Sequence, residues 1–337
     1  MEVRYYFQIK NEIQHYILLS ELQEKKSFSN SLVITIDTEH TYCNGQRVKV
    51  RKKGDNAMQL QGKIALVPGA SRAIGRRIAR KLAREGVNLI LPTFDWPESV
   101  MEMEQEFKGL DIDVLILPID LREQSQVQKM VAAIKERFGA LHILINNIER
   151  GGMPIIHGSY DHALNHEQWD LEINTTLKAK WLLFHHCLPL MKQSGSGSIV
   201  NISSISALTG RSGPAALLFN DAYSAANRAI SSFTETWARE AAPEIRVNEL
   251  MLGLIEDRHG EKTRGWSVMK DEEQQSLLTH TLLQRTGTAE EVATAILFLA
   301  RDADFMTGTV LRMDGGFCLG GEQVPDIPEG ILTRERC

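Results

Sequence analysis

Only four cysteines, Cys43, Cys187, Cys318 and Cys337, are spread along the 337 residues, and no two form a CxxC pair. That spacing excludes a disulfide framework and a zinc knuckle. Long apolar runs are missing too: none approaches the roughly 18–20 residues that span a bilayer. The N-terminal stretch MEVRYYFQIKNEIQHYILL has Glu12 and Gln14 where a signal peptide would have its apolar core. There is no excess of positive charge: 38 Lys and Arg against 43 Asp and Glu leave a net charge of −5. No basic stripe interleaves with the few aromatics, so a nucleic-acid partner is excluded, and so is a membrane. The run His185-His186-Cys187 invites a metal reading, but adjacent helix residues point about 100° apart and cannot converge on one ion. The expected location is cytoplasmic, and no metal site is expected.

What is present from residue 62 onward is an alternation of apolar strands with helices. KIALVPG (63–69), VNLILP (87–92), DVLILPID (113–120), LHILINN (141–147), GSIVNISS (197–204), IRVNELM (245–251) and GTVLRMDGG (308–316) read as strands. IGRRIARKLAREG (74–86), ESVMEMEQEFKG, SQVQKMVAAIKERFG (125–139) and stretches near 166–191, 221–241 and 289–302 read as helices. Strands apolar throughout are buried on both faces, which requires a parallel sheet covered on both sides. The fold class is therefore α/β: a Rossmann-type doubly wound parallel sheet of about seven strands in three α/β/α layers. One domain is expected over 58–320, with a C-terminal tail over 321–337. Residues 1–57 break the rhythm, carry no nucleotide motif and offer only a small hairpin around Asn44-Gly45. They are read as an appended or mis-assigned N-terminus.

After strand KIALV comes Gly69-Ala-Ser-Arg-Ala-Ile-Gly75 at the mouth of a helix. Glycines there let the backbone approach a pyrophosphate, while the helix N-terminus supplies N–H donors and positive dipole. Asp120-Leu121 ends the third strand and Asn146-Asn147 the fourth; Asn174 lies in the long helix. Ser203-Ser204 ends the fifth strand, Tyr223 follows, and Arg246-Val-Asn248 leads to Gly253 and TGTVLRMDGG.

In that order these motifs resemble the short-chain dehydrogenase/reductase family over about residues 60–320, with the 3-oxoacyl-acyl-carrier-protein reductase and pteridine reductase branches most similar. The resemblance implies an NAD(P)(H)-dependent oxidoreductase that reduces a small or carrier-bound carbonyl substrate. It assigns cofactor binding to Gly69, Ser71, Arg72, Ile74, Gly75, Thr93, Asp120, Leu121, Asn147, Asn227, Gly253 and Ile255. It assigns the chemistry to Tyr223 as proton donor, Ser204 on the carbonyl oxygen, Asn174 on a relay water, and Asn227 where the family has lysine. Ser203 and Ser206 rival Ser204, and the 19-residue gap from Ser204 to Tyr223 makes GRSGPAALLFND a candidate substrate wall. The polar segment 256–275 is a candidate lid, and a homodimer or homotetramer is implied.

The departures are Pro68 and Ala73 in the glycine loop, Ile148-Glu149 after the asparagine pair, Leu252 before Gly253, and Asn227. No acid stands at the end of the second strand, where Thr93 sits, and Arg72 is placed to meet a 2′-phosphate. NADP(H) is favoured on that ground, with NAD(H) left open. A cation about 5 Å from the phenol, at an effective dielectric near 20, would be worth roughly 3 kcal/mol. Without it Tyr223 is expected to titrate nearer the reference of about 10. It can still donate in reduction, whereas oxidation, which needs the phenolate as base, suffers more. The same departures suit a second reading: a nucleotide-binding family member that senses or scaffolds without turnover.

Every cofactor motif lies after Gly62. A chain beginning at Met58 is therefore expected to fold and bind cofactor like the full chain; a melting temperature several degrees lower would place residues 1–57 on the core.

Overall fold

The computed structural model describes residues 58–149, 163–256, 264–267 and 269–322, together with three short strands between residues 34 and 48. Two compact units divide the chain, Met1–Met58 and Gln59–Cys337. In the first, β1 (Ile34–Ile36), β2 (Thr41–Cys43) and β3 (Gln46–Val48) form an antiparallel sheet in that order. Cys43 pairs with Gln46 across β2 and β3, and the turn expected at Asn44-Gly45 lies outside the described residues.

The second unit holds a seven-stranded sheet in the order β10-β9-β8-β7-β4-β5-β6, every pair parallel. Its strands are β4 (Ile64–Leu66), β5 (Asn88–Thr93), β6 (Val114–Pro118), β7 (Ile143–Asn146), β8 (Gly197–Ser204), β9 (Ile245–Leu252) and β10 (Val310–Met313). All eight residues of β8 are buried, as a central strand covered on both faces must be. The flanking helices are α1 (Ala73–Arg84), α2 (Pro97–Phe107), α3 (Gln124–Phe138), α4 (Ala163–Glu172), α5 (Ala179–Gln193), α6 (Ser206–Thr209), α7 (Asp221–Ala241), α8 (Arg264–Ser267), α9 (Asp271–His280) and α10 (Ala289–Leu297). α1 buries Ile74, Ile78, Ala79 and Leu82, one apolar stripe at helical spacing, and packs on α10. The order reverses at β4, whose neighbours β5 and β7 lead their chains away in opposite directions; nucleotides bind in the crevice at such a switch point.

The long helix expected near 166–191 is interrupted. Ile173–Lys178 winds as a π-helix between α4 and α5, and α7 packs on that segment. Such widened turns recur at functional sites. Of the expected lid, residues 257–263 and 268 lie outside the described residues, and the remainder is largely α8 and α9.

The interior under β8 is unusually polar. β7 ends at Asn146, opposite Asn201, so β8 runs on with no neighbour on that side. Lys180 of α5, 1% exposed, donates its ammonium to the Ile202 carbonyl at 2.9 Å there. Glu249 of β9, 0% exposed, accepts from Ser203 and, at 3.1 Å, from Ser231. Burial pushes its carboxyl up, while those hydroxyls and the charge of Lys180 pull it back. Lys180→Met should cost about 3 kcal/mol, because it orphans a carbonyl and removes the opposing charge. The cost should be smaller in a Glu249→Gln background. Denaturant melts of the double-mutant cycle measure this, and equal costs in both backgrounds would show that the two groups are uncoupled.

Candidate active site

The glycine loop follows β4 and opens α1. Gly69 has φ +71°, and a Cβ there would lie 2.5 Å from the Asn147 carbonyl oxygen, so a side chain is barred on both counts. Asn147 in turn donates its amide to the Pro68 carbonyl at 3.3 Å, which ties the end of β7 to the loop. Arg76 fastens the other side: it donates to the carbonyls of Ala70 at 3.3 Å, Ser71 at 2.9 Å and Ser99 at 2.5 Å. The loop and the start of α2 thus form one unit. The first-turn amides of α1, including those of Ile74 and Gly75, have no partner within the helix.

At the far end of that crevice, Arg72 stacks its guanidinium 4.1 Å over the Trp96 ring. Trp96 has φ +63°, an outlier for a bulky residue, and it stands directly before α2. Thr93, buried at the end of β5, directs its hydroxyl to the Leu117 carbonyl at 3.4 Å. Asp120 is gripped by Arg122 at 2.7 and 2.8 Å, and that hydrogen-bonded guanidinium holds its carboxyl below the usual range. Arg122 also lies 4.9 Å over exposed Phe94. Leu121 is buried in the main apolar core.

The candidate catalytic residues lie where β8, β9 and α7 meet. Ser203 gives its hydroxyl to Glu249 inside the core, so it leaves the contest for the carbonyl oxygen. Ser204, 1% exposed, has its Oγ accepting the Ser206 amide at 3.2 Å, and Ser206, whose hydroxyl has no partner, stays its rival. Tyr223 starts α7, where the Asn220 side chain accepts its amide at 2.6 Å as an N-cap. Its ring is 2% exposed within an apolar cluster of Ile205, Phe219, Met251, Leu254 and Trp266. Its hydroxyl donates to Glu149 Oε2 at 3.0 Å. The candidate wall residues Leu218 and Phe219 line this same cluster.

Asn227 is fully buried one turn along α7. Its amide bonds back to the Tyr223 carbonyl at 2.9 Å, and its Oδ1 has no partner. Asn174 does not join the group: its side chain donates to the Asp170 carbonyl of its own helix at 2.7 Å, in an exposed setting. Two residues on, Thr176 is the buried side chain of the π-helical turn and bonds to Glu172. Gly253 closes the floor, since a Cβ there would come within 2.6 Å of the Asp314 backbone. Beyond it, Ile255 bridges to Gly287 through the Leu254 carbonyl and the Glu256 amide, both at 2.9 Å. That ladder turns Ile255's own N–H and C=O to the opposite side, where a carboxamide would meet them.

A dinucleotide fits these groups. The glycine cradle excludes side chains where a pyrophosphate would lie, and Asn227 keeps a buried acceptor with nothing to accept from. Among the described residues no cluster of His, Cys, Asp and Glu would hold a metal ion, and no helix is long and apolar enough to cross a membrane. Burial pushes the Cys187 thiol up to about 12, which makes it a packing group, and His185 stacks on Trp181 at 5.7 Å.

Comparison with known proteins agrees. The family described as Enoyl-(Acyl carrier protein) reductase matches residues 69–318. A solved short-chain dehydrogenase/reductase from Burkholderia xenovorans superposes with a TM-score of 0.65 at 30% identity, over 77% of this chain and 98% of that one. The chain belongs to the short-chain dehydrogenase/reductase family. It is 30% identical to a 3-oxoacyl-[acyl-carrier-protein] reductase of Thermotoga maritima, over 78% of this chain and all of that protein. It is 35% identical to a 1,6-dihydroxycyclohexa-2,4-diene-1-carboxylate dehydrogenase of Pseudomonas putida, over 77% of this chain and 93% of that protein. This short-chain dehydrogenase/reductase is thus an NAD(P)(H)-dependent oxidoreductase.

Sequence reasoning passed over Trp96, Arg122, Thr176 and the contact of Glu149 with Tyr223. Glu149 was visible only as a departure from an expected pattern, and Trp96 only as an aromatic before a proline. The orphaned acceptor of Asn227 has a measurable consequence. Asn227→Leu removes a buried unsatisfied oxygen but puts two bulkier methyl groups in its place, so the relief and the crowding oppose each other and the stability of the cofactor-free protein should change by no more than about 1 kcal/mol. Cofactor affinity should fall in the same variant. Thermal melts with and without NADPH test both, and undiminished affinity would remove Asn227 from the cofactor site.

Proposed function

We propose that this oxidoreductase is an NADP(H)-preferring carbonyl reductase acting on a 3-oxoacyl or pterin-like ketone, small or carrier-bound. Tyr223 donates the proton to the carbonyl oxygen and Ser204 hydrogen-bonds that oxygen. The observation that carries the reading is Tyr223 itself: a phenol enclosed by apolar side chains at the end of the sheet, beside the end of β8 and past the glycine cradle. In such low-dielectric surroundings a positioned hydroxyl acts strongly on the charge that develops on the oxygen. The nicotinamide, when bound, supplies or takes the hydride. The protein's part is to hold the pyrophosphate on Gly69, Ser71 and the first turn of α1, the adenosine near Asp120 and Leu121, and the carboxamide at Ile255. Gly75 lets α1 approach the loop, and Asn147 braces it. The substrate class leans on the printed activity of the Thermotoga maritima relative. The family resemblance adds a homodimer or homotetramer.

The preference for NADP(H) rests on two positions. Thr93 presents no carboxylate to repel a 2′-phosphate. Arg72 is held by Trp96 with one face on the ring, which leaves the guanidinium edge for the phosphate. NADPH should bind more tightly than NADH, and Arg72→Ala should erode the ratio by about tenfold, as for loss of one charge-assisted hydrogen bond. Fluorescence titration decides it; a tighter constant for NADH would refute the preference.

A further inference from the structure

We propose that Glu149 is the proton partner of Tyr223, an inference that rests on the reading of Tyr223 as proton donor. Three neighbours hold Glu149 in place. Asn146 bonds its amide to Asn201 Oδ1 at 2.7 Å, Asn147 reaches the Pro68 carbonyl, and Ile148 packs on the main core. The loop therefore leaves β7 in one fixed direction, and Glu149 Oε2 accepts the Tyr223 hydroxyl at 3.0 Å across 74 residues of chain.

The other side of the phenol sets the chemistry. Where a cation would stabilise a phenolate stands Asn227, neutral, with its amide committed to the Tyr223 carbonyl. A carboxylate against the phenol acts in the opposite sense to a lysine: like charges disfavour a standing phenolate. The proton must pass through Tyr223 and not be stored as its absence. In alcohol oxidation the substrate O–H breaks and its proton goes to Tyr223 Oη. The Tyr223 O–H breaks in the same step and its proton goes to Glu149 Oε2. The oxidised nicotinamide, when bound, would take the carbon-bound hydrogen as hydride, leaving the alcohol carbon as a carbonyl. Tyr223 is neutral before and after, and Glu149 ends as the neutral acid. Carbonyl reduction runs the same transfers in reverse, with Glu149 resupplying the proton that Tyr223 gives away.

Among the described residues, α7 also carries Asp221, Arg228, Glu235, Arg239 and Glu240, and the π-helical turn packed on it carries Lys178. Asp221 of α7 is engaged by Arg211 at 3.2 Å. Glu172, Lys180 and Glu249 lie in the core. Cys318, beside Asp314, has its thiol pushed up to about 12, first by burial. None of these is bonded to the phenol oxygen in the contacts described above.

Glu149→Gln keeps an acceptor for the phenol but cannot take a proton. That variant should fold and bind NADPH like the parent protein. Its oxidation of a 3-hydroxybutanoyl thioester with NADP+ at neutral pH should fall at least about a hundredfold. The rate should recover at alkaline pH, where the phenolate forms unaided, and Glu149→Asp should restore part of it. Ultraviolet titration, with the Tyr223 signal assigned by its loss in Tyr223→Phe, needs no substrate. It should show the phenol ionising about one pH unit lower in Glu149→Gln, because a negative neighbour is gone. An unchanged titration midpoint, or a parental pH–rate profile in Glu149→Gln, would overturn the role of Glu149. Parental activity in Tyr223→Phe would instead overturn the reading of Tyr223 on which it rests.

Discussion

The edge of the sheet that carries Ser204 depends on one mismatch of strand lengths. β7 stops at Asn146 while β8 continues to Ser204, so the last residues of β8 pass beyond their neighbour with polar groups that the ladder no longer satisfies. Buried N–H and C=O groups left unpaired are costly, so the interior must supply partners. Lys180 does so for the Ile202 carbonyl, and the polar side chains around it are paired among themselves: Asn146 and Thr234 hold Asn201, and Glu249 takes Ser203 and Ser231. This frame, not the local chain, fixes where Ser204 stands.

The same frame explains how a site can lack the expected lysine and remain ordered. Tyr223 is located by its own N-cap, by stacking on Phe219 at 5.9 Å, and by Glu149 at the end of a loop braced from two sides. None of these needs a cation. A low-dielectric enclosure also makes the carboxylate–phenol contact more consequential than it would be in water. Away from the phenol, Arg72 on Trp96 and Arg76 on the Ser99 carbonyl join the glycine loop to the start of α2.

Much of this was legible in the residues. Continuous apolar runs such as KIALV and GSIVNISS fall on β4 and β8, and the helix that begins at Asp221 has the length its stripe implies. Periodicity reports burial, and burial is what a covered parallel sheet imposes on every strand. The interrupted long helix was less legible, because a π-turn changes hydrogen-bond register without a change in composition. That shift is why Asn174 turns back on its own helix while Thr176 goes inside.

By itself, the sequence determined the order of strands and helices, the glycine turn at the mouth of α1, and the absence of a charged group at Asn227. These are properties of residue type and spacing, and they hold wherever the chain folds. The tertiary structure alone decided that Ser203 is committed to Glu249, that the side-chain oxygen of Asn227 is left without a donor, and that Glu149 meets Tyr223. Those facts depend on residues far apart in the chain, brought within hydrogen-bond distance by sheet register and loop direction. No local pattern encodes such distances: a shift of a single residue in register would turn Ser203 and Ser204 each to the opposite face of the sheet and carry the helix and loop that follow the strands out of reach of one another.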